Sequence, residues 1–175
     1  MEIIRLQTEN HPLMERARML YAQSFPAHEQ RQYSSQHSIM GHEQYHFGLV
    51  MEGGEFAGLM LYWETDSFIY VEHFCMLPEL RGQGLGSRAL ALLGSCGKTV
   101  ILEIDPPVDA VSVRRRQFYE RAGFVANPYH HVHPPYHQEH AGHELVVMSR
   151  PSALTQAQYD AFAKVVTQTV MRDAF

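Results

Sequence analysis

Residues 68–96 read FIYVEHFCMLPELRGQGLGSRALALLGSC, and this stretch decides the fold. Residues 68–77 are rich in aromatic and β-branched side chains, which predicts a strand that is covered on both faces and ended by Pro78. Alanine and leucine then recur at helical spacing from 89 to 93, so a helix begins inside the glycines that precede them. The stretch predicts a strand, a glycine-rich turn and a helix.

The glycine-rich turn predicts an anion site. The first turn of a helix has amide groups without intrahelical partners and carries the positive end of the helix dipole. Glycines at 82, 84 and 86 remove Cβ atoms that would keep a phosphate away, so a pyrophosphate could rest on the backbone. Two nucleotide motifs do not fit, because no Gly-Lys-Ser/Thr follows and Ser87 stands where the dinucleotide fingerprint needs glycine.

The loop RGQGLG at 81–86 resembles the Arg/Gln-x-x-Gly-x-Gly/Ala loop of the GNAT superfamily of acetyltransferases, which holds the pyrophosphate of acetyl-CoA. Residues 118–124, FYERAGF, resemble the second signature of that family, a helix that runs into a Gly-Phe turn. The two signatures occur in the expected order and at a suitable separation. The resemblance implies an α/β fold with a mixed, mostly antiparallel central sheet, a βαβ crossover and helices on both faces.

The remaining pattern agrees with a single domain over residues 1–175. Further strands are predicted at 2–7, 45–52, 55–64, 99–105, 125–129 and 144–149, with Gly53-Gly54 as a hairpin turn. Helices are predicted from 10–12 to Pro26, from Asp109 to Ala122 and over 155–173, while 27–42 is a helix or a helical loop. The last helix packs either on its own domain or on a second subunit, so a homodimer stays open.

The composition of the chain limits the kinds of partner and the cellular setting that we expect for it. The formal net charge of −5 gives no reason to expect nucleic acid or an anionic membrane as a partner, and no apolar run is long enough to span a bilayer. Charges throughout 1–20 argue against a signal peptide. The two cysteines, Cys75 and Cys96, do not make a disulfide framework, so a reduced cytoplasmic setting is the simpler interpretation.

The resemblance also implies where acetyl-CoA, the co-substrate, would bind. In the family the fourth strand parts from the fifth and exposes backbone to the pantetheine arm; by position this backbone is Phe74, Cys75 and Met76, with the Met76 amide facing the thioester oxygen. Ser112 stands where the family commonly has a cofactor-binding asparagine and is a weaker candidate. The pyrophosphate would be held by the loop Arg81, Gly82, Gln83, Gly84, Leu85, Gly86 and Ser87.

The residue that matches the family's general acid is Tyr119, since a phenol with a pKa near 10 and a thiol with a pKa near 8.5 exchange a proton readily. The alternative is a tyrosine that only packs against the sheet. Glu72 and, ranked below it, Glu103 are candidate bases, because burial in an apolar strand raises a carboxyl pKa. His73 would point to the opposite face if the strand alternates regularly. An amine that arrives neutral needs no dedicated base.

The expected reaction is direct attack by a primary amine of a small molecule or peptide, without a cysteine acyl-enzyme. Cys75 is the thiol near the expected carbonyl, and a thiol buried in a strand has a raised pKa and is inert. The rival class is a non-catalytic acyl-CoA-binding sensor or a His-rich metal-binding interaction module.

Residues 127–143, NPYHHVHPPYHQEHAGH, have the most unusual composition of the chain. Their histidines at 131, 133, 137, 140 and 143 could bind a divalent metal, but the spacing matches no zinc motif, so no metal ligand is assigned. In the GNAT layout the segment lies beside the acceptor pocket, which favours a substrate lid rich in proline, tyrosine and histidine. A plain surface loop is the third interpretation.

Overall fold

The computed structural model describes residues 1–95 and 97–175, and its centre is a twisted sheet. The strands are β1 (Glu2–Leu6), β2 (Tyr45–Glu52), β3 (Glu55–Glu64), β4 (Phe68–Met76), β5 (Thr99–Ile104), β6 (Val125–Ala126), β7 (His131–His133) and β8 (His143–Arg150). Their order in the sheet is β1-β2-β3-β4-β5-β8-β6, with β7 paired to β8. Among the described strands only β4 and β5 pair in parallel, which confirms the mixed, mostly antiparallel sheet.

The helices agree with the predicted pattern and add detail where it was ambiguous. They are α1 (Met14–Ser24), α2 (Tyr33–Ile39), α3 (Leu85–Gly94), α4 (Ala110–Arg121) and α5 (Gln156–Val165), with short 3-10 turns at Ala27–Glu29 and Pro78–Leu80 and a π-helical turn at Val166–Val170. The first helix begins later than predicted, and 27–42 holds both a turn and a helix. The crossover from β4 through α3 to β5 is the predicted βαβ unit. No helix among the described residues is long and apolar enough to cross a bilayer.

Each face of the sheet is covered by its own group of helices. On one face the ring of Phe162 in α5 lies 5.2 Å from Tyr70 and 6.0 Å from Phe68, so the last helix packs on its own domain. On the other face Leu90 and Leu93 of α3 are buried in a second apolar cluster. A fully buried side chain of this size contributes about 1.5–3 kcal/mol.

Strands β4 and β5 part from each other halfway along their length. Their pairing runs only from Phe68 opposite Thr99 to Val71 opposite Leu102. Residues 72–76 of β4 continue as strand beside β3 without a described partner in β5. The sheet therefore has a gap in its middle, with free backbone groups along one edge.

A β-bulge lies where the gap begins. Leu61 of β3 pairs with His73 and Tyr62 pairs with Val71, so Glu72 is an extra residue in β4. Glu72 and His73 consequently lie on the same face, where both contact Tyr136. The prediction that His73 points to the opposite face is wrong, because this strand does not alternate regularly.

The strand predicted at 125–129 is much shorter in the structure. The side-chain amide of Asn127 donates to the carbonyl oxygen of Val147 and to Ser149 Oγ, and Pro128 has no amide hydrogen to continue a ladder. The chain pairs with β8 again only at β7, which lies inside the His-rich segment and was not predicted.

Candidate active site

A cavity of about 800 Å³ occupies the gap between β4 and β5. Its walls come from both strands, the loop before α3, helix α4, the turn at residues 24–29 and the segment 133–145. Of the predicted site residues, the cavity is lined by Glu72, Phe74, Cys75, Met76, Arg81, Gly82, Gly84, Leu85, Gly86, Ser87 and Tyr119. Gln83 and Ser112 are not among the residues that line it.

The start of α3 forms the anion-binding end of the cavity. Gly84 precedes the helix with a φ of 76°, a left-handed conformation that side chains rarely adopt, and no side chain caps the helix. The first hydrogen bond back to the loop comes from the Arg88 amide to the Gly84 carbonyl oxygen, so the amides of 85–87 have no intrahelical partner. These amides fit a pyrophosphate.

Gly86 has a different reason to be glycine. A Cβ at this position would lie 3.2 Å from the ring of Phe118, which is tighter than most contacts, and 3.5 Å from that of Phe74, an ordinary contact distance. The close approach of α3 and α4 therefore favours the small residue. At Gly82 and Gly84 a Cβ would meet no atom within 4 Å, so these two positions are open, as phosphate access requires.

The free edge of β4 supplies backbone donors at the other end. The Leu77 amide donates to the Ala57 carbonyl oxygen at 2.9 Å, on the side of β3. Because successive amides of a strand point to opposite edges, the Met76 amide points into the gap. The Met76 carbonyl oxygen accepts a bond from Arg81 Nε at 3.2 Å, which orients the loop against the strand. This geometry is what the predicted role of the Met76 amide requires.

Two residues predicted to contact the cofactor have side chains that form hydrogen bonds within the protein. The hydroxyl of Ser112 accepts from the Asp109 amide at 3.1 Å and donates to the Asp109 carbonyl oxygen, completing the N-cap of α4. This side chain therefore has a structural use, and its contact with the cofactor stays a prediction. The Gln83 side chain donates to the Glu79 carbonyl oxygen and is exposed, so only its backbone stays near the anion site.

The side chain of Tyr119 in α4 is buried on the cavity wall, and burial raises its pKa to about 12. Its hydroxyl makes no hydrogen bond to the described residues. The phenol stays protonated at neutral pH, as an acid must. The pKa of the Tyr119 phenol therefore exceeds an ordinary thiol pKa near 8.5 by more than the sequence argument assumed. However, a thiolate in the same cavity also loses hydration, and this loss raises the pKa of the thiol.

Glu72 is not a carboxyl group with a raised pKa. Its Oε1 accepts from Arg31 Nη2 at 2.7 Å and from Tyr136 Oη at 2.9 Å, and its Oε2 accepts from Trp63 Nε1 at 2.8 Å. Burial alone would raise the pKa, but the Arg31 charge and these bonds outweigh burial and lower the pKa of Glu72 to about 2. The expectation of a near-neutral pKa is wrong.

Glu103 is also held as a carboxylate. It accepts from the hydroxyl of Tyr70 at 2.5 Å and is hydrogen-bonded to Nε2 of His131. Burial favours the neutral acid, yet His133, His131 and Tyr70 together lower the pKa of Glu103 below its ordinary value. The expectation of a raised pKa is therefore wrong for Glu103 as well as for Glu72.

One buried acceptor of the cavity has no partner. His133 is 4% exposed, and its Nδ1 lies 2.6 Å from the Pro134 carbonyl oxygen, which requires the proton on Nδ1. Its Nε2 is buried without a hydrogen bond from the described residues, 3.9 Å from Glu103 Oε2. An N–H donor placed between these two atoms would satisfy both.

The His-rich segment is anchored on one side and exposed on the other. Tyr136 is buried against Glu72, and His137 Nε2 donates to the carbonyl oxygens of Ala27 and Gln30. His131 and His133 face Glu103, so the histidines of the segment do not converge on one metal. The predicted position beside the cavity is found, but the segment is a packed wall rather than a detached lid.

Sequence reasoning missed the groups that surround the two carboxylates. Arg31 lies in a polar stretch that has no pattern of its own, and Tyr136 follows two prolines that suggested only a loop. Their partner Glu72 is 41 and 64 residues away along the chain. The only available signal was a carboxylate in an apolar strand, which requires a partner without identifying it.

A parted sheet with an uncapped helix at the gap is the architecture of an acetyltransferase. The profile of the Acetyltransferase (GNAT) family matches residues 11–124, and the chain belongs to this family. A curated relative, YjbC of Bacillus subtilis (strain 168), provisionally assigned as an acetyltransferase, is 35% identical over 68 residues. That match spans 38% of this chain and about a third of the relative, 35%.

Solved structures agree with the assignment. A provisionally assigned GNAT-family acetyltransferase from Bacteroides thetaiotaomicron superimposes with a TM-score of 0.91, at 25% identity and over 98% of each chain. The ribosomal-protein-S18-alanine N-acetyltransferase of Escherichia coli shares the fold at a TM-score of 0.57 and 18% identity, over 88% of this chain and 95% of that one. An aminoglycoside 6'-N-acetyltransferase solved with coenzyme A also shares the fold, at a TM-score of 0.53 and 12% identity, over 86% of this chain and 96% of that one.

Proposed function

We propose that this protein transfers an acetyl group from acetyl-CoA to a primary amine of a small molecule or peptide by direct attack. The observation that carries the proposal is that one cavity contains three groups suited to this reaction. They are the uncapped amides at the start of α3, the Met76 amide on the free edge of β4, and the unpartnered hydroxyl of Tyr119.

The chain fits acetyl-CoA at both ends of the cavity. Amides 85–87 would hold the pyrophosphate, with the cationic side chains of Arg81 and Arg121 also on the wall. The unpaired edge of β4 at 74–76 would hydrogen-bond the amide groups of the pantetheine arm as a neighbouring strand does. Acetyl-CoA supplies an activated acyl group, and the Met76 amide would stabilise negative charge on the carbonyl oxygen.

Tyr119 is the proposed acid. Its hydroxyl is a donor on the cavity wall that no described residue uses, and its raised pKa keeps the proton in place until a thiolate forms. The match to the family model runs from residue 11 to residue 124 and therefore includes Tyr119. Proton donation to a leaving thiolate is the role that this position supports best.

His133 replaces the carboxylates as the proposed acceptor of the amine's proton. Glu72 and Glu103 are held as ionised, hydrogen-bonded groups, whereas Nε2 of His133, a residue that lines the cavity, is a buried acceptor without a hydrogen bond from the described residues. An amine that donates to Nε2 lies next to Glu103, whose charge stabilises the imidazolium that forms. Glu72 then has a structural role as the counter-ion of Arg31.

Direct attack is favoured over a cysteine intermediate. Burial raises the pKa of the Cys75 thiol, so little reactive thiolate is present at neutral pH. After incubation with acetyl-CoA alone, intact-mass spectrometry should show no acetylated protein. A stoichiometric adduct on Cys75 that passes to an added amine would overturn direct attack.

Calorimetric titration with acetyl-CoA tests the binding step. Wild type should bind, and Gly84→Glu should not, because the new carboxylate occupies and repels the anion site. Gly54→Glu is the matched control. Gly54 also has a positive φ, 86°, but lies in the β2–β3 turn, so this substitution introduces similar backbone strain outside the anion site. Loss of binding in both variants, or no binding by wild type at millimolar cofactor, contradicts the proposal.

A thiol-release screen over amines, peptides and aminoglycosides tests the transfer. At least one amine should raise thiol release above acetyl-CoA hydrolysis and appear as its acetylated product by mass spectrometry. A protein that binds acetyl-CoA but acetylates none of a broad panel would instead favour the non-catalytic sensor.

A further inference from the structure

Three potential metal ligands meet on the wall of the cavity, and none of them is among the groups assigned to acetyl transfer. His28, Glu29 and His143 each have a ligand atom within 4.8 Å of those of the others. All three line the cavity, and their side chains are 51%, 29% and 39% exposed. Two imidazoles and a carboxylate are a common donor set for zinc and related transition metals.

The ligand atoms lie somewhat farther apart than in an occupied zinc site. Nε2 of His28 lies 3.6 Å from Oε1 of Glu29, and all three ligand atoms lie within 4.8 Å of one another. Ligand atoms about 2.0–2.1 Å from a tetrahedral zinc are roughly 3.3 Å apart. The three side chains are partly exposed, so rotations about their side-chain bonds can bring the ligand atoms closer together.

A carboxylate is part of the cluster, and a second one lies beside it. His143 Nε2 lies 3.5 Å from Asp105, which also forms an ion pair with Arg115. The carboxylate of Glu29 supplies a negatively charged ligand for a divalent cation held between His28, Glu29 and His143.

The three residues come from separate parts of the fold. His28 and Glu29 form the 3-10 turn after α1, and His143 begins β8. Among the described residues, the segment 134–142 between β7 and β8 contacts the turn through hydrogen bonds of His137 and through the ring of His140, whose centre is 5.9 Å from that of His28. A shared ion would join these two walls at the mouth of the cavity.

We propose that His28, Glu29 and His143 form a divalent transition-metal site, with zinc as the favoured ion, that clamps the turn at 27–29 to the β7–β8 hairpin beside the acceptor entrance. The site is additional to the acetyl-transfer groups and does not depend on them. Its role is to order the wall of the cavity, and it gives a use to His143, the last histidine of the His-rich segment.

Zinc titration of the chelator-treated full chain by calorimetry tests the site without any acceptor. One zinc ion should bind per chain, and His28→Asn combined with His143→Asn should weaken the affinity at least about tenfold, which corresponds to ~1.4 kcal/mol. Cobalt should give visible d–d absorption of a nitrogen-ligated ion in wild type and lose it in the double variant.

His130→Asn is the matched control, because His130 lies in the same segment but is 77% exposed and outside the cluster. It should bind zinc as wild type does, and both variants should match wild type in thermal unfolding without metal. Equal loss of affinity in the control, or full affinity in the double variant, would show that the histidines bind metal nonspecifically and would overturn the proposal. Zinc should also slow amide hydrogen exchange at 140–143; unchanged exchange at saturating zinc contradicts the clamp.

Discussion

Arg31 and Glu72 form a buried ion pair, with 2.7 Å between Nη2 and Oε1 and side chains that are 0% and 1% exposed. Arg31 also donates to Ser35 Oγ and to the Val170 carbonyl oxygen, so the pair joins α2, β4 and the turn after α5. A charge removed from such a pair leaves its partner uncompensated in the interior. The intact pair is therefore important for the stability of the fold.

Glu72→Gln should destabilise the protein without removing its chemistry. The free energy of unfolding should fall by about 3–5 kcal/mol, the usual cost of breaking a buried pair, while the folded fraction keeps a near-normal kcat. Urea unfolding followed by fluorescence measures the first quantity. Arg31→Met combined with Glu72→Met is the comparison variant, and it should recover part of the loss because no unpaired charge remains. A stable Glu72→Gln with kcat reduced a hundredfold would restore this residue as the base.

The stability contributed by Glu72 should depend on pH. Its folded pKa of about 2 is below the ordinary 4.5, so the folded state binds fewer protons than the unfolded chain between these values. The difference in unfolding free energy between wild type and Glu72→Gln should be constant above about pH 4.5 and shrink as pH falls toward 2. Other acidic groups titrate in both proteins and cancel in the comparison. A difference that persists unchanged to pH 2.5 contradicts the assigned pKa.

Tyr119→Phe should reduce turnover and leave binding intact. The ring keeps its packing against Phe118 and Phe124, and only the proton donor is lost. General acid catalysis contributes ~10²–10⁴-fold, so kcat should fall within that range while the dissociation constant of acetyl-CoA and the melting temperature change little. Steady-state kinetics with the best amine of the screen measure the effect. Full kcat at every pH would make Tyr119 a packing residue.

His133→Ala should lose activity that free imidazole restores. The substitution removes the proposed proton acceptor and leaves a space beside Glu103 that imidazole can enter, whereas a purely structural role would give no such rescue. With a chelator present, kcat should fall ~10²-fold or more and recover with added imidazole. His130→Ala, an exposed histidine of the same segment, is the control and should match wild type. Loss without rescue in a folded protein, or no loss, argues against this role.

The strand, the glycine turn and the helix could be predicted because their signals are local. Pro78 ends the strand, and Gly84 at positive φ begins α3 within a few residues of each other. The Asp109 cap of α4 was predicted on the same basis.

The chemistry of the carboxylates could not be predicted in this way. Burial of Glu72 was expected correctly, but the sign of its pKa shift depends on Arg31 and Tyr136, which the fold brings from distant segments. For the same reason the free Nε2 of His133 emerges only from the structure. It depends on a contact with Pro134 and on the distance to Glu103.

Because of the bulge at Glu72, the number of residues in β4 determines which face of the sheet its side chains reach, as much as their type determines what they contact there. Removing one residue between 69 and 73 would restore regular alternation and turn either Glu72 or His73 to the opposite face, away from Arg31 or Tyr21. Single-residue insertions and deletions here should therefore be tolerated far less than conservative substitutions. Natural variation in this strand should change residue types while the spacing from Val71 to Phe74 stays fixed.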